Sequence, residues 1–222
     1  MIEYIVADNI DDRILGRAAR KLAEGGLVGL PTDTSWGIAC SLDSKEGIKR
    51  LRRLSGVRDE RHFTLLCASI AQIGEYCSLD NTRFRLVKRL APGPYVFVLR
   101  ALLGTGKALD IRRKEVGVRI SGNPVAGALI EKLGSPLYAI TAKKSMALSD
   151  AEEADSEAED ETSHPAIPEE ELFEGGWELE AIADLEMILD DGEEKARMLS
   201  TVLDLSGDEV VPLRLGAGPW PA

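Results

Sequence analysis

The chain has 222 residues, 44% of them hydrophobic and 29% charged, with a net charge of −11; one substantial core is affordable, and so negative a protein is disfavoured for non-specific attachment to nucleic acid or anionic membrane. No run of 18 apolar residues occurs, and the opening Met1-Ile2-Glu3-Tyr4-Ile5-Val6-Ala7-Asp8 carries acids without a basic flank, so neither a membrane span nor a signal peptide fits and a cytoplasmic location is expected. The three cysteines, Cys40, Cys67 and Cys77, lack C-x-x-C spacing and read as buried thiols, while two histidines, His62 and His164, leave few members for a Ser-His-Asp or Cys-His engine.

Residues 4–7 read as a first strand, and Asp11 or Asp12 can cap a helix running to about Ala23, with Ile14, Leu15, Ala18 and Leu22 on one face. Gly25-Gly26 ends that helix. Residues 27–30 then have the length and composition of a short buried strand, and Pro31 turns the chain where the hydroxyls of Thr32, Thr34 and Ser35 begin. Residues 36–40 read as a second extended segment. Asp43-Ser44-Lys45-Glu46 has a capping-box pattern, and the helix it opens points Ile48, Leu51 and Leu54 inward before stopping at Ser55-Gly56.

Further on, residues 62–67 form the next expected strand, and Ser69 and Asp80 or Asn81 look like caps of helices over 70–76 and 82–90. Ala91-Pro92-Gly93-Pro94 breaks the second. Strands are expected over 95–99 and 115–120, and Asn123-Pro124 opens a helix that Gly134 closes. Residues 137–141 return as a strand ending in polar groups. From 149 to 171 the composition is acidic and poor in large apolar residues, so this stretch reads as a mobile insert within a single domain spanning 1–222. Short strands are then expected over 187–190, 199–205 and 210–214. The alternation of strands and helices predicts an open α/β sheet.

Four places combine a strand end with hydroxyls or positive charge: 32–35, 121–123, 141–145, and Ser200-Thr201 with Arg214. Ligands of open α/β sheets bind beyond strand ends, so these could converge on one crevice, although a hydroxyl at a strand end more often caps a turn. Lys49, Arg50 and Arg53 read as a solvated helix face, whereas Arg58 lies beyond the helix, where a guanidinium could grip a carboxylate or phosphate. Gly104-Thr105-Gly106-Lys107 fails as a phosphate loop, because its glycines are too close and Ala108 follows the lysine. Trp36 could stack on a ligand or belong to the core. Asp33, Asp190 and Asp204 could help hold magnesium, or form turns.

Taken together, several stretches resemble the YrdC/YciO family, the threonylcarbamoyl-AMP synthases and their relatives. They are Leu30-Pro31-Thr32-Asp33-Thr34-Ser35-Trp36-Gly37, Phe63-Thr64-Leu65-Leu66-Cys67, Pro92-Gly93-Pro94-Tyr95-Val96-Phe97-Val98-Leu99, Val116-Gly117-Val118-Arg119-Ile120 with Asn123-Pro124, and Ser200-Thr201-Val202-Leu203-Asp204 with Leu213-Arg214-Leu215-Gly216. The Phe-Thr-Leu-Leu-Cys version is closer to the YciO branch. The resemblance implies a twisted, mixed α/β sheet with flanking helices around a deep cavity. It further implies a nucleotidyltransferase that joins L-threonine, bicarbonate and ATP into threonylcarbamoyl-AMP for tRNA modification. ATP is then a substrate, accompanied by magnesium, and no residue is assigned as a metal ligand.

By the same analogy Thr32, Thr34, Trp36, Thr64 and Arg58 would face threonine and bicarbonate, and Ser121, Thr141, Lys144, Ser200, Thr201 and Arg214 the nucleotide. Two departures stand out. The synthases' Lys-x-Arg pair becomes Ser55-Gly56-Val57, with Arg58 one residue displaced, and their Ser-x-Asn pair becomes Thr141-Ala142-Lys143. Lys143 or Lys144 would then restore the missing charge, which makes Arg58 and Lys143 the expected catalytic cations. The alternatives are a non-catalytic nucleotide- or RNA-binding member and a carbamoyl-adenylate enzyme with another substrate. Contact with double-stranded RNA or tRNA would run through the basic segment 49–61.

Overall fold

Caps and breakers place the helix ends where the local sequence calls for them. The computed structural model describes residues 1–56, 63–102, 115–148 and 167–220. Helix α1 (Asp12–Ala23) starts at Asp11, whose carboxylate accepts the Arg13 N–H at 2.8 Å, and it buries Leu15, Ala18 and Leu22. Helix α2 (Lys45–Ser55) is capped by Ser44 and stops at Gly56, where φ is 64°. Helices α3 (Ile70–Tyr76) and α4 (Asn81–Leu90) begin at Ser69 and Asp80. Helix α5 (Pro124–Leu133) begins at Asn123, carries Pro124 in its first turn and ends at Gly134.

The strands are β1 (Ile2–Tyr4), β2 (Leu27–Leu30), β3 (Gly37–Ser41), β4 (Thr64–Leu66), β5 (Tyr95–Arg100), β6 (Glu115–Arg119), β7 (Leu137–Thr141), β8 (Leu185–Asp190), β9 (Thr201–Asp204) and β10 (Val211–Arg214). Among the described residues they make one ten-stranded sheet in the order β1-β8-β2-β3-β7-β4-β6-β5-β9-β10. Parallel pairs (β1·β8, β2·β8, β4·β6, β5·β9) mix with antiparallel ones, as expected of this α/β class.

Successive residues of the central strands alternate between two cores, one on each face. Leu27, Ile38, Cys40, Tyr138, Ile140 and Ile188 join one core, with residues of α2, α3 and α4. Val28, Leu30, Ala39, Leu137, Ala139 and Leu189 join the other, against α1 and α5. Burying each large aliphatic side chain contributes about 1.5–3 kcal/mol, so both helical layers are held chiefly by these stripes. All three cysteines are buried free thiols, and burial pushes Cys40 and Cys77 up to about 12 and Cys67 up as well. Among the described residues no helix is long and apolar enough to cross a membrane.

Several features differ from the sequence reading, among them β4 and β9, which are shorter than the expected 62–67 and 199–205. β1 occupies 2–4 rather than 4–7, because among the described residues its only ladder partner is β8, and the register Tyr4↔Asp190 ends both strands together. β8 begins two residues early, at Leu185, and pairs with strands on both sides. A 3-10 turn over Gly176–Ala181, too short to leave a periodic signal, buries Leu179 over Gly29 of β2. Arg58, Arg61, His62, the Gly104–Lys107 run and residues 149–166 of the acidic segment lie outside the described residues. Of the remainder of that segment, Glu169–Glu171 makes a 3-10 turn and Glu171 accepts the Ser145 N–H at 3.2 Å.

Candidate functional site

The turn after β2 is built by one hydroxyl. Thr32 Oγ1 accepts the N–H groups of Thr34 (3.1 Å) and Ser35 (3.2 Å) and donates to the Ser35 carbonyl at 2.5 Å. That closure turns Asp33 and Thr34 toward Arg119, the last residue of β6. On a flat sheet β2 and β6, four places apart, would be separated by about 19 Å. Arg119 Nη2 nevertheless donates to Asp33 Oδ1 at 2.6 Å, a gap bridged by the turn that carries Asp33 beyond β2 and by the length of the arginine side chain. The same guanidinium reaches Thr34 Oγ1 at 3.1 Å and Ser200 Oγ at 2.5 Å.

Arg119 is 6% exposed, and its Nε, also buried, has no partner among the described residues. Ser121 Oγ donates to Asp33 Oδ1 at 2.7 Å. From β10, Arg214 donates to the Ser200 carbonyl through Nε (3.2 Å) and Nη2 (3.0 Å). Two guanidinium groups therefore converge on Ser200, and of the two only Arg119 is paired with a carboxylate, which leaves this cluster with an excess positive charge.

Titration follows that geometry. Burial pushes the Asp33 carboxyl up, but Arg119, the Ser121 hydroxyl and nearby backbone N–H groups outweigh it and hold the carboxyl below its ordinary range. Burial lowers Arg119, against the opposing pull of Asp33. Burial and the charge of Arg119 together bring Arg214 down to about 10.

Beside this cluster is a cavity of about 430 Å³, counting the solvent at its mouth. The β2–β3 turn contributes Thr32, Ser35, Trp36 and Gly37; β4 contributes Thr64 and Leu66; β7 contributes Ala139, Ile140 and Thr141; Val96, Arg119 and Ser200 complete it. Arg119 is the cation of this lining, hydroxyls and apolar surface make up the rest, and Arg214 does not line the cavity but meets it through the carbonyl of Ser200. This is the chemistry of a small anionic ligand carrying a hydroxyl and an apolar group.

Of the expected site residues, Thr32, Trp36, Thr64, Thr141 and Ser200 meet at this cavity. Trp36 serves both readings, being 1% exposed, bonded through Nε1 to the Glu174 carbonyl and part of the wall. Thr34 stands behind Arg119. Ser121 lies beside the cluster and acts through Asp33. Lys143 bridges Leu172 through its backbone, and Lys144 faces Glu178 at 3.7 Å; neither lines the cavity. Arg58 lies outside the described residues. The basic helix face is not free, since Arg50 pairs with Glu186 at 2.5 Å and Arg53 with Asp184 at 3.0 Å.

Thr201 takes a different part from the one expected. It is fully buried, its hydroxyl donates to the Gly218 carbonyl (2.5 Å) and accepts the Gly216 N–H (2.9 Å), and it pins the C-terminal segment rather than reaching the cavity. Thr201→Val is expected to lose about 1–3 kcal/mol by leaving both backbone groups unpaired. Urea unfolding reads this directly, and an unchanged midpoint would remove the pinning role.

Asp190 and Asp204 form turns, accepting the N–H groups of Gly192 and Ser206 at 2.8 Å each. Asp33 Oδ1 already accepts from Arg119 and Ser121, and no three His, Cys, Asp or Glu side chains cluster among the described residues. These residues do not fit a magnesium ion held by the protein alone. The sequence reading passed over Arg119, although a lone arginine inside Val116-Gly117-Val118-Arg119-Ile120 was a usable signal, since a charge within a buried strand needs a partner.

Residues 20–172 match the family described as telomere recombination, Sua5/YciO/YrdC. The chain belongs to this family. It is 29% identical to Escherichia coli YciO over 216 residues, covering 97% of this chain and 95% of that one. The E. coli YciO crystal structure superimposes with a TM-score of 0.76 over 99% of this chain and 97% of that chain, at 28% identity. The threonylcarbamoyl-AMP synthase of Mus musculus is 28% identical over 193 residues, 86% of this chain and 62% of the mouse protein. The crystal structure of P. abyssi Sua5 complexed with L-threonine has the same fold, with a TM-score of 0.77 at 24% identity over 97% of this chain and 57% of that chain. As a member of the Sua5/YciO/YrdC family, the chain has the YrdC-type sheet that its motifs implied.

Proposed function

We propose that this protein is an adenylate-forming enzyme of the threonylcarbamoyl-AMP synthase type, joining L-threonine, bicarbonate and ATP and releasing pyrophosphate and water. The observation that carries this reading is the convergence of Arg119 and Arg214 on Ser200 at one end of a hydroxyl-lined cavity. Threonine's amine, once carboxylated by bicarbonate, becomes a carbamate whose oxygen attacks the α-phosphorus. The bond to the pyrophosphate leaving group then breaks. Negative charge grows on the leaving oxygens, and fixed guanidinium groups in a partly dry site stabilise it without reorganising.

In this reading Arg119, Arg214 and Ser200 face the phosphate, and Trp36, Thr64 and Thr141 face the amino acid. The product would supply a transferase that modifies tRNA. Relatives named threonylcarbamoyl-AMP synthase and a neighbour crystallised with L-threonine support the choice of substrate. The test is pyrophosphate release with and without threonine and bicarbonate. Release that depends on both is expected, and release indifferent to either removes the reading.

A second reading, nucleotide binding without turnover, draws on Lys143 and Lys144, because neither of these lysines lines the cavity. AMP binding by calorimetry together with no pyrophosphate release would select it.

Arg214 gives the anion site a pH signature. Its charge is fully present well below about 10 and is lost as pH rises through that value. Because a bound anion favours the charged form, AMP affinity is expected to be flat from neutrality to about pH 9 and to fall above 10. Arg214→Lys places a group of lower intrinsic pKa in the same surroundings, so its fall should begin at lower pH. Superimposable profiles would show that Arg214 does not meet the ligand.

A further inference from the structure

Residues 191–200 join β8, second in the sheet, to β9, ninth, without regular secondary structure. Both ends of this strap lead to Arg119. Ser200 accepts a hydrogen bond from it directly. At the other end the link is a chain of buried and half-buried polar groups. Lys195 Nζ donates to both oxygens of Asp191 at 2.9 and 2.7 Å, and Asn123 Nδ2 donates to Asp191 Oδ2 at 2.7 Å. The Asn123 N–H donates to Ser121 Oγ at 3.1 Å, and Ser121 donates to Asp33, the carboxylate that holds Arg119.

Lys195 also touches the cavity wall. Its ammonium lies 5.5 Å from the centroid of the Trp36 ring, and its N–H donates to the Glu174 carbonyl that accepts Trp36 Nε1. The Lys195 and Asp191 side chains are only 8% and 1% exposed. Stability gives little reason for such a pair, since desolvation offsets much of the attraction and an apolar pair of similar volume is often as stable. Nor does α5 need it as a cap, because Asn123 Oδ1 already accepts the Val125 N–H.

We propose that Lys195 is a positioning residue for the anion site. By holding Asp191 against Asn123 it fixes the entry to α5, and with it the Ser121–Asp33 contact that aims the Arg119 guanidinium. The proposal rests on the reading that Arg119 and Arg214 meet the anionic group of the ligand.

The experiment is a double-mutant cycle on AMP affinity, measured by calorimetry for the wild type, Lys195→Met, Ser121→Ala and the two combined. Lys195→Met is expected to weaken AMP binding about tenfold, within the range of coupling carried by residues that do not touch ligand. Because Ser121→Ala already cuts the chain, the combined variant should bind no more weakly than Ser121→Ala alone. Losses that multiply, or an affinity unchanged in Lys195→Met, overturn the proposal.

Asp191→Asn/Lys195→Met separates folding from positioning, because it removes the isolated buried carboxylate while leaving Asn123 an acceptor. It is expected to regain melting temperature without regaining affinity; recovery of both would reduce Lys195 to a counter-ion. If the wild type binds no AMP, the site reading fails by itself. The chain is then read without ligand, from Trp36 emission in a Trp177→Phe/Trp220→Phe background that removes the two exposed tryptophans. Ser121→Ala should shift that emission when Lys195 is present and leave it unmoved in Lys195→Met. No shift in either overturns the proposal.

Discussion

Arg119→Ala is expected to lower the affinity for AMP by more than about a hundredfold and to destabilise the protein by about 3–5 kcal/mol, the usual cost of removing one member of a buried charge pair. Three groups accept from this guanidinium, namely Asp33, Thr34 and Ser200; each would lose that bond at once, and Asp33 would keep only the Ser121 hydroxyl and backbone N–H groups. Arg119→Lys should recover part of the stability and less of the affinity. A single ammonium cannot reach all three acceptors in the geometry of a planar fork.

The loss should also depend on pH in a definite direction. In the wild type the Asp33 carboxyl is held below its unfolded value, so it contributes stability that is present above that value, near 4, and disappears as pH falls through the lower folded pKa. In Arg119→Ala the pull of the cation is gone and only the Ser121 hydroxyl and backbone N–H groups oppose burial, so the Asp33 pKa rises and its charged form contributes less stability. The stability gap between the two proteins should therefore be widest near neutral pH and narrow below about pH 4. Urea unfolding at pH 7 and at pH 3.5 checks this. A gap of equal size at both would mean that the Arg119–Asp33 pair is not its source.

Gly216→Ala is the second large effect, and it acts without touching ligand. A Cβ at position 216 would lie 2.7 Å from the Ser200 carbonyl carbon, 2.8 Å from its oxygen, and closer still to the Leu199 carbonyl oxygen. All of these are backbone atoms that cannot rotate away, so the segment after β10 must lift. Lifting breaks the Gly216 N–H bond to Thr201, the Ala217 N–H bond to the Leu199 carbonyl, and the anchorage of Arg214 on Ser200.

A loss of about 2–3 kcal/mol is expected, at the upper end of overpacking penalties, with AMP affinity falling at least about tenfold as Arg214 loses its support. Gly74→Ala is the control. Its Cβ would meet nothing within 4 Å on helix α3, so it should gain up to about 1 kcal/mol. Thermal unfolding of the two variants side by side decides the matter, and a Gly216→Ala protein as stable as the wild type would show that this segment is not closely packed on the strap.

Much of the fold was legible in the amino-acid sequence because caps and periods are local. Asp11, Ser44, Ser69, Asp80 and Asn123 each sit one residue before a helix, and β2 occupies 27–30, because an N-cap or an apolar run bounded by Gly and Pro needs no knowledge of distant partners. The first strand was displaced because an edge strand extends only as far as its neighbour, and β8 lies more than 180 residues along the chain.

At the site the division is similar. Thr32, Ser35, Thr141 and Ser200 could be picked out as polar groups at strand ends, Thr64 came only with the family resemblance, and all five line one cavity. Ser200 and Thr201 were indistinguishable, however. Adjacent residues of an extended segment point to opposite sides, and which side faces the cavity depends on the packing of the segment after β10.

By itself, then, the sequence determined the helix caps, the central strands, the buried thiols, the resemblance to the Sua5/YciO/YrdC family and the hydroxyl cluster, all of which follow from residue types within a few positions of one another. Only the tertiary structure decided where the cations lie. Arg119 meets Asp33 across 86 residues of chain and four places in the sheet, Lys195 finds Asp191 and Trp36 where the strap crosses, and Lys143 and Lys144 lie off the cavity. The physical reason is that strand order is set by the sum of long-range packing, and a long side chain takes its partner from whatever the folded strands and turns bring within reach.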